Sequence, residues 1–419
     1  MSAVNGCLLR VSALICLMAV LQSCITPVVL AASGGEPIKI GFITSLTGVA
    51  AGPGQDMANG IQLYIDQVNS TMGGRKVELI IENDGSDAAT AVQKLQKLVD
   101  EDHVNVVDGI MLANISAAVV PMAEKEQIPM VGAVCTSDDL TQRQNLTWFV
   151  RTGYTSSQPM LPFGEWVYKN LHYRKIVTLA MDYRFGYEQV GGFQKSFEGA
   201  GGQIVQKIWA PLGFVDFSSF IKQIHKDADA VMLVSVGAAA EVMPKQYKEL
   251  GPGLPVIGSG SSYDEFILNK LGDESVGVYS PLIYSAALKT PANLKFAAAY
   301  RAQFHKDPSY YAECSYTSGM WIKQAIDSLQ GKVEDKQRFI EALKKVQLKD
   351  APRGPVRLDP RNSPIENVYV RKVERVHGAL QNTVIQTFPN VSQFWKWKDS
   401  DYLKQPIFSK EYPPCPHCQ

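Results

Sequence analysis

The sequence predicts an α/β protein made of two doubly wound parallel-sheet lobes, on three observations. Short apolar runs alternate with segments of helical periodicity, and that alternation stops once and restarts. The 419 residues, 46% hydrophobic and 20% charged, are enough chain for two separate cores. The first strand is Ile38 to Ile43, ended by Thr44, Ser45 and Gly48, and Ile61, Tyr64, Ile65 and Val68 then recur at helical spacing. Val77 to Ile81 is the next strand, followed by a helix on which Val92, Leu95, Leu98 and Val99 share a face. Val104 to Val107, a helix from about Ser116 to Glu126, and Met130 to Val134 complete the first half. Four short apolar strands with crossover helices describe a parallel sheet covered on both faces.

The rhythm restarts with a helix around Leu161 to Leu171 and the strand Ile176 to Met181. A helix near Val190 to Phe197, strand Ile204 to Trp209, helix Phe217 to His225 and strand Ala230 to Val234 follow, then a helix from about Ala239 to Leu250 and the short strand Pro255 to Ile257. Beyond Leu282 the pattern predicts long helices over Leu294 to Phe304 and Tyr311 to Leu329, and a hairpin of Val356 to Leu358 with Val368 to Val373.

Composition excludes several functions. Lys plus Arg and Asp plus Glu are both 41, so no basic surplus exists to neutralise phosphates, and no nucleic-acid partner is expected. The uncharged run Val11 to Leu21 reads as a signal-peptide core, too short to span a bilayer, with cleavage after Ala31 or Ala32. Leu21-Gln22-Ser23-Cys24 offers a competing lipobox in which Cys24 is acylated. Either route exports the chain. The tail Cys415-Pro416-His417-Cys418 has the spacing of a thiol oxidoreductase or half a zinc site, without the strand-to-helix context or the second ligand pair, so a local disulfide or a frayed tail is expected. The six histidines form no metal spacing, and Gly258-Ser259-Gly260-Ser261 lacks the last glycine of a nucleophile elbow. No enzyme, metal or cofactor is expected.

Open parallel sheets hold ligands outside the carboxyl ends of their strands. The loop Thr44 to Gln55 is glycine-rich but lacks both a phosphate-loop Lys and a dinucleotide fingerprint, which leaves a loop approaching a small ligand. Leu112-Ala113-Asn114-Ile115-Ser116 and Val134-Cys135-Thr136-Ser137-Asp138 are rich in small hydrogen-bonding residues and open helices. N-capping explains either loop alone; facing each other across a cleft, they suit a carboxylate or amide.

Ile38-Lys39-Ile40-Gly41-Phe42-Ile43 with Leu46-Thr47-Gly48 and Gly54 resembles the opening of type I periplasmic solute-binding proteins. Leu140-Thr141-Gln142-Arg143, Val150-Arg151-Thr152, Tyr183-Arg184-Phe185-Gly186 and the stretch from Pro291 through Ala325 resemble their leucine/isoleucine/valine-binding branch, from about Lys39 to Val373. The resemblance implies a monomeric Venus-flytrap clamshell in the periplasm, its lobes joined by a three-crossover hinge, that delivers a small carboxylate ligand to the permease subunits of an ABC importer. It implies a signal peptide over 1–31, lobe 1 over 36–153 plus 287–352, lobe 2 over 154–286 plus 353–395, and a tail over 396–419. By position, Cys135 and Thr136 would hold the carboxylate through backbone and hydroxyl, helped by Ala113 and Asn114, with Phe185 covering it from the second lobe.

Three positions depart from the family. Gly260 stands where amino-acid binders carry the Glu that pairs with the ligand ammonium, Pro53 replaces an aromatic residue, and Gly237-Ala238-Ala239 replaces a Tyr. An ammonium closed into a dry cleft without a counter-charge costs on the order of several kcal/mol, comparable with the whole free energy of a micromolar complex. The small wall residues and the missing Glu point to a carboxylate without an amine, such as an aromatic acid, unless Asp264 reaches back to supply the charge. The alternatives are a branched-chain or other amino-acid binder of the same fold and a ligand-sensing component of a regulator.

Overall fold

In the computed structural model, which describes residues 35–418, the first apolar run becomes β1 (Ile38–Thr44) and the rest follow in alternation. They are α1 (Ala51–Gln67), β2 (Thr71–Met72), β3 (Arg75–Asn83), α2 (Ala88–Asp100), β4 (Val106–Gly109), α3 (Ala113–Lys125), β5 (Met130–Gly132), α4 (Asp139–Gln142) and β6 (Phe149–Arg151). The sheet order is β2-β3-β1-β4-β5-β6, parallel except for the two-residue edge strand β2. The signal-peptide run, Ala31, Ala32 and Cys24 lie outside the described residues.

The chain then builds α5 (Met160–Trp166), β7 (Lys175–Asp182), α6 (Arg184–Gly199), β8 (Gln203–Pro211), α7 (Ser218–Ile221), β9 (Ala230–Val234), α8 (Ala238–Leu250), β10 (Val256–Gly258), α9 (Glu265–Leu271) and β11 (Tyr279–Leu282). Three helices, α10 (Pro291–Phe304), α11 (Tyr310–Ser328) and α12 (Lys336–Lys345), return to the first sheet. There α11 packs so closely on α1 that a methyl group at Gly60 would strike the backbone of Ala312. Finally β12 (Gln347–Ala351), β13 (Gly354–Leu358), β14 (Pro364–Val376), β15 (Ala379–Val391) and α13 (Asp399–Tyr402) close the second layer.

The second sheet runs β12-β13-β14-β11-β10-β9-β7-β8, with β15 on β14, and is mixed rather than purely parallel because β14 enters antiparallel to β11. The expected hairpin is corrected here. β13 meets only the start of β14, through Arg357 with Ile365 and Leu358 with Pro364, whereas Val368 to Val373 pairs with β15. The true hairpin turns at His377 and Gly378, both at positive φ, and β15 escaped notice because most of its residues stay partly exposed. The expected helix Phe217 to His225 shortens to the single turn of α7.

Arg151, Arg353 and Arg371 are fully buried, at the end of β6, between β12 and β13, and within β14. Arg151 donates to the Ser137 carbonyl (2.5 Å) and Thr141 Oγ1 (2.8 Å). Arg353 donates to the Thr152 carbonyl (3.0 Å) and pairs with Glu313 (3.1 Å) and Glu366 (3.3 Å). Arg371 donates to the carbonyls of Tyr284 and Gly260, both at 3.0 Å. Carbonyls in passages that belong to no helix or ladder need donors when buried, and a guanidinium supplies five in a fixed fork.

The last segment is packed rather than frayed. Phe394, Tyr402 and Phe408 cover Leu161, Arg143 donates to the carbonyls of Leu403 (2.8 Å) and Gln405 (2.7 Å), and Cys415 and Cys418 form a disulfide.

Candidate ligand cleft between the two sheets

The carboxyl ends of β1, β4 and β5 step onto one another. Ile110 N donates to the Ile43 carbonyl (2.8 Å), Ala133 N to Gly109 (3.1 Å) and Cys135 N to Ile110 (2.8 Å). Two non-glycine residues are held here at positive φ, Ile110 at 60° and Cys135 at 39°, a strained conformation for a β-branched residue above all. From this ledge α3 begins. Its N-cap is Leu112, which has no polar atom to offer, and both Leu112 and Ala113 are buried. The first helical bond runs from Ser116 N to the Leu112 carbonyl (2.9 Å), so the amides of Ala113, Asn114 and Ile115 have no partner within the helix.

Polar atoms without partners surround this helix start. Asn114 Oδ1 and Ser137 Oγ are buried and unbonded, and the Thr136 hydroxyl makes no hydrogen bond among the described residues. The Thr136 carbonyl, in contrast, accepts from Ser156 N (2.8 Å) and Ser156 Oγ (2.9 Å), which fixes the loop. Orphan amides at the positive end of a helix dipole, beside a free hydroxyl, form a receptor for an anion. Cys135 departs from its expected role. Its amide is already given to Ile110, and burial pushes its thiol up to about 12, so it shapes the loop as a neutral core residue.

On the second sheet α6 also starts uncapped, on Tyr183, and the buried Phe185 lies in its first turn with its ring 6.1 Å from that of Tyr183. Gly237 opens α8 at a φ of 56°, and a side chain there would run into the Val49 carbonyl. That carbonyl accepts from Ala238 N (3.3 Å), a backbone contact from the loop after β1 to the start of α8. A β-carbon at Gly260 would lie 2.5 Å from the Pro281 carbonyl and 2.6 Å from Leu282 Cδ1, so its side-chain direction points into β11. The expectation that small residues at 237 and 260 widen the cleft is therefore corrected: protein atoms fill both spaces.

Asp264 is likewise committed. It caps α9 through Phe266 N (3.3 Å), accepts from Tyr310 N (3.3 Å) and lies 4.0 Å from Arg371 Nη1. Burial, reinforced by Glu265, pushes its carboxyl well above the usual range, so it is no free counter-charge for an ammonium. Sequence reasoning missed a group of rings at the same seam. Tyr154 meets Tyr310 edge-on at 5.9 Å, Tyr310 lies 3.8 Å from Tyr311, and Tyr311 meets Phe266 at 5.8 Å. Only the adjacent Tyr310-Tyr311 pair behind the helix cap Ser309 was a local signal. Open grooves lie elsewhere, as in the 440 Å³ hollow beside α11 and α12 lined by Arg338, Glu341 and Lys345.

Residues 37–378 match the family model described as periplasmic binding protein. The Leu/Ile/Val-binding protein homolog 6 of Brucella abortus is 27% identical over 371 residues, covering 85% of this chain and 93% of that one. A solute binding protein of an ABC transporter from Rhodopseudomonas palustris BisB5, solved in complex with 3,4-dihydroxybenzoic acid, is 32% identical with a TM-score of 0.81, covering 86% of this chain and 99% of its own. A second R. palustris solute binding protein, in complex with 4-hydroxybenzoate, is 27% identical with a TM-score of 0.80, covering 88% and 100%. Among the described residues no group of His, Cys, Asp or Glu is placed to hold a metal ion. The chain thus belongs to the periplasmic binding protein family, as a non-catalytic solute-binding protein of its Leu/Ile/Val-binding branch with the two-lobed type I fold.

Proposed function

We propose that the protein captures a small aromatic carboxylate in the cleft between its lobes and delivers it to the permease of an ABC importer on the outer side of the inner membrane. The observation that carries this reading is the buried, uncapped start of α3 beside the free hydroxyl of Thr136. The amides of Ala113 and Asn114 and the Thr136 hydroxyl take the carboxylate, and Phe185 covers the ring from the other lobe. The binding of hydroxybenzoates by two relatives supports the same class. So does the state of Asp264: with its carboxyl group pushed up by burial and engaged by Tyr310 N, an α-ammonium finds no ready partner. The lobes divide at 36–153 plus 287–352 and 154–286 plus 353–395, and the protein acts as a monomer that closes about its hinge.

The test is calorimetry with Thr136→Val, which keeps the shape and removes the donor. A charged hydrogen bond lost is roughly 1.5–3 kcal/mol, so affinity for an aromatic acid falls about tenfold or more while the melting temperature of the free protein stays nearly constant. Equal affinity in the variant places the carboxylate elsewhere. Tight binding of leucine, isoleucine or valine by the wild type, with no response to aromatic acids, selects the amino-acid reading and returns Asp264 to the ammonium.

A further inference from the structure

Two phenols at the cleft lack a full set of partners. Tyr154, in the first passage between the sheets, and Tyr311, in the first turn of α11, are both fully buried, and neither hydroxyl has a partner beyond the phenol of Tyr310 that the two share. Elsewhere the same chain provides partners for its tyrosines. Tyr284 donates to Asn293 Oδ1 (2.8 Å), Tyr369 to the Arg353 carbonyl (2.6 Å), Tyr247 to Leu254 (3.0 Å) and Tyr316 to Gln67 (2.6 Å). A buried hydroxyl left unpaired loses its hydration without replacement, so a native structure keeps one where a partner arrives later.

The two belong to one place. Tyr310 bridges them, its ring 5.9 Å from that of Tyr154 and 3.8 Å from that of Tyr311. Asp264 and Tyr183 bear on Tyr311 electrostatically, and Tyr183 stands beside Phe185 at the start of α6. The pair therefore lies at the seam where α11, the first passage and α6 meet.

We infer that Tyr154 and Tyr311 receive a hydroxyl on the aromatic ring of the ligand, so that the protein selects hydroxylated aromatic acids over unsubstituted ones; this rests on the aromatic-carboxylate reading above. A phenolic hydroxyl is at once a donor and an acceptor, so it gives its proton to one tyrosine oxygen and accepts from the other. A ring hydrogen at the same position offers neither. Burial holds both phenols neutral far above physiological pH, which keeps them able to play either part.

The experiment is calorimetric titration of the wild type, Tyr154→Phe and Tyr311→Phe with benzoate, 4-hydroxybenzoate and 3,4-dihydroxybenzoate. The wild type prefers at least one hydroxylated acid to benzoate by about tenfold or more, since a site built for a hydroxyl rejects the analogue lacking it. Each variant loses about five- to tenfold for that acid and stays within about twofold for benzoate, a coupling that general damage to the fold does not produce. Wild-type affinities equal across the three acids overturn the inference, because water then satisfies the phenols, and leave the aromatic-carboxylate reading standing. An equal loss for all three acids in both variants also overturns it. Binding of none of the three overturns the aromatic-carboxylate reading and the inference together.

Discussion

Four helices that begin at the cleft lack the side-chain cap that α10 and α12, farther out, both carry. Away from it, α10 and α12 start on Thr290 and Asp335, and each side chain accepts from an amide three residues on. At the strand ends of β1, β4, β7 and β9, α1, α3, α6 and α8 start on Ala50, Leu112, Tyr183 and Gly237, and none is capped by its side chain. Near the same seam α9, on Asp264, and α11, on Ser309, are capped, as is α2, on Asp87, beside the start of α1. A missing cap costs roughly 0.5–2 kcal/mol, so the cleft gives up stability that the outer shell keeps. The strained φ values of Ile110 and Cys135 fall on the same side of that division, as does the buried Asp108 at the end of β4. Open donors and strained backbone thus gather on the side of the molecule where the ligand is proposed to bind.

The largest effect expected from that contrast is at Asp108, whose carboxyl burial pushes up to about 7 although Ser318 Oγ (2.5 Å) and Gly109 N (2.7 Å) donate to it. Between its unfolded value near 4 and its folded value the native state holds the proton more tightly, so stability falls as pH rises through that window. The full cost is roughly 4 kcal/mol above pH 7 and vanishes below pH 4. Asp108→Asn removes the charge at nearly constant shape, so urea unfolding shows the variant more stable than wild type at pH 8 and about equal at pH 4. The same offset at both pH values would remove Asp108 from the costs borne by the cleft.

Leu112→Asp tests the comparison by giving α3 the cap it lacks. The new carboxylate occupies the orphan amides and repels a second one, so affinity for an aromatic acid falls at least about a hundredfold. Leu112→Asn fills the same amides without charge and loses less. Wild-type affinity in the Asp variant breaks the link between the uncapped start and the ligand.

Asp335→Ala takes the opposite step at an outer helix, where the side chain accepts from Arg338 N (3.1 Å). It costs about 1 kcal/mol of stability in urea and leaves ligand affinity unchanged. An affinity change of more than about threefold would show that caps far from the cleft also tune it, and the division would fail.

Local pattern carried much of the fold. β1, β7 and β9 are compact runs whose burial on both faces demands continuous apolar residues, and α1, α2, α8 and α11 are long enough for a face to repeat. β6, three residues long, and β15, largely exposed, carry no such repeat, and pairing with the preceding strand alone makes them strands. For the proposed site, the rule that ligands sit beyond strand ends points to Ala113, Asn114 and Thr136, because small polar residues in those loops are visible one by one. Nothing in the sequence shows that the Cys135 amide is taken by Ile110, or that Gly260 faces β11.

By itself, then, the sequence determined the order of strands and helices and the loops that border the cleft, since both follow from periodicity within a dozen residues. Tertiary structure decided which polar atoms in that cleft are free. Asp264 looks available until Arg371 and Tyr310 arrive from 107 and 46 residues away, and the phenols of Tyr154 and Tyr311 look ordinary until burial leaves them short of partners. Hydrogen-bond satisfaction is a property of neighbours in space, and neighbours so distant along the chain leave no local trace.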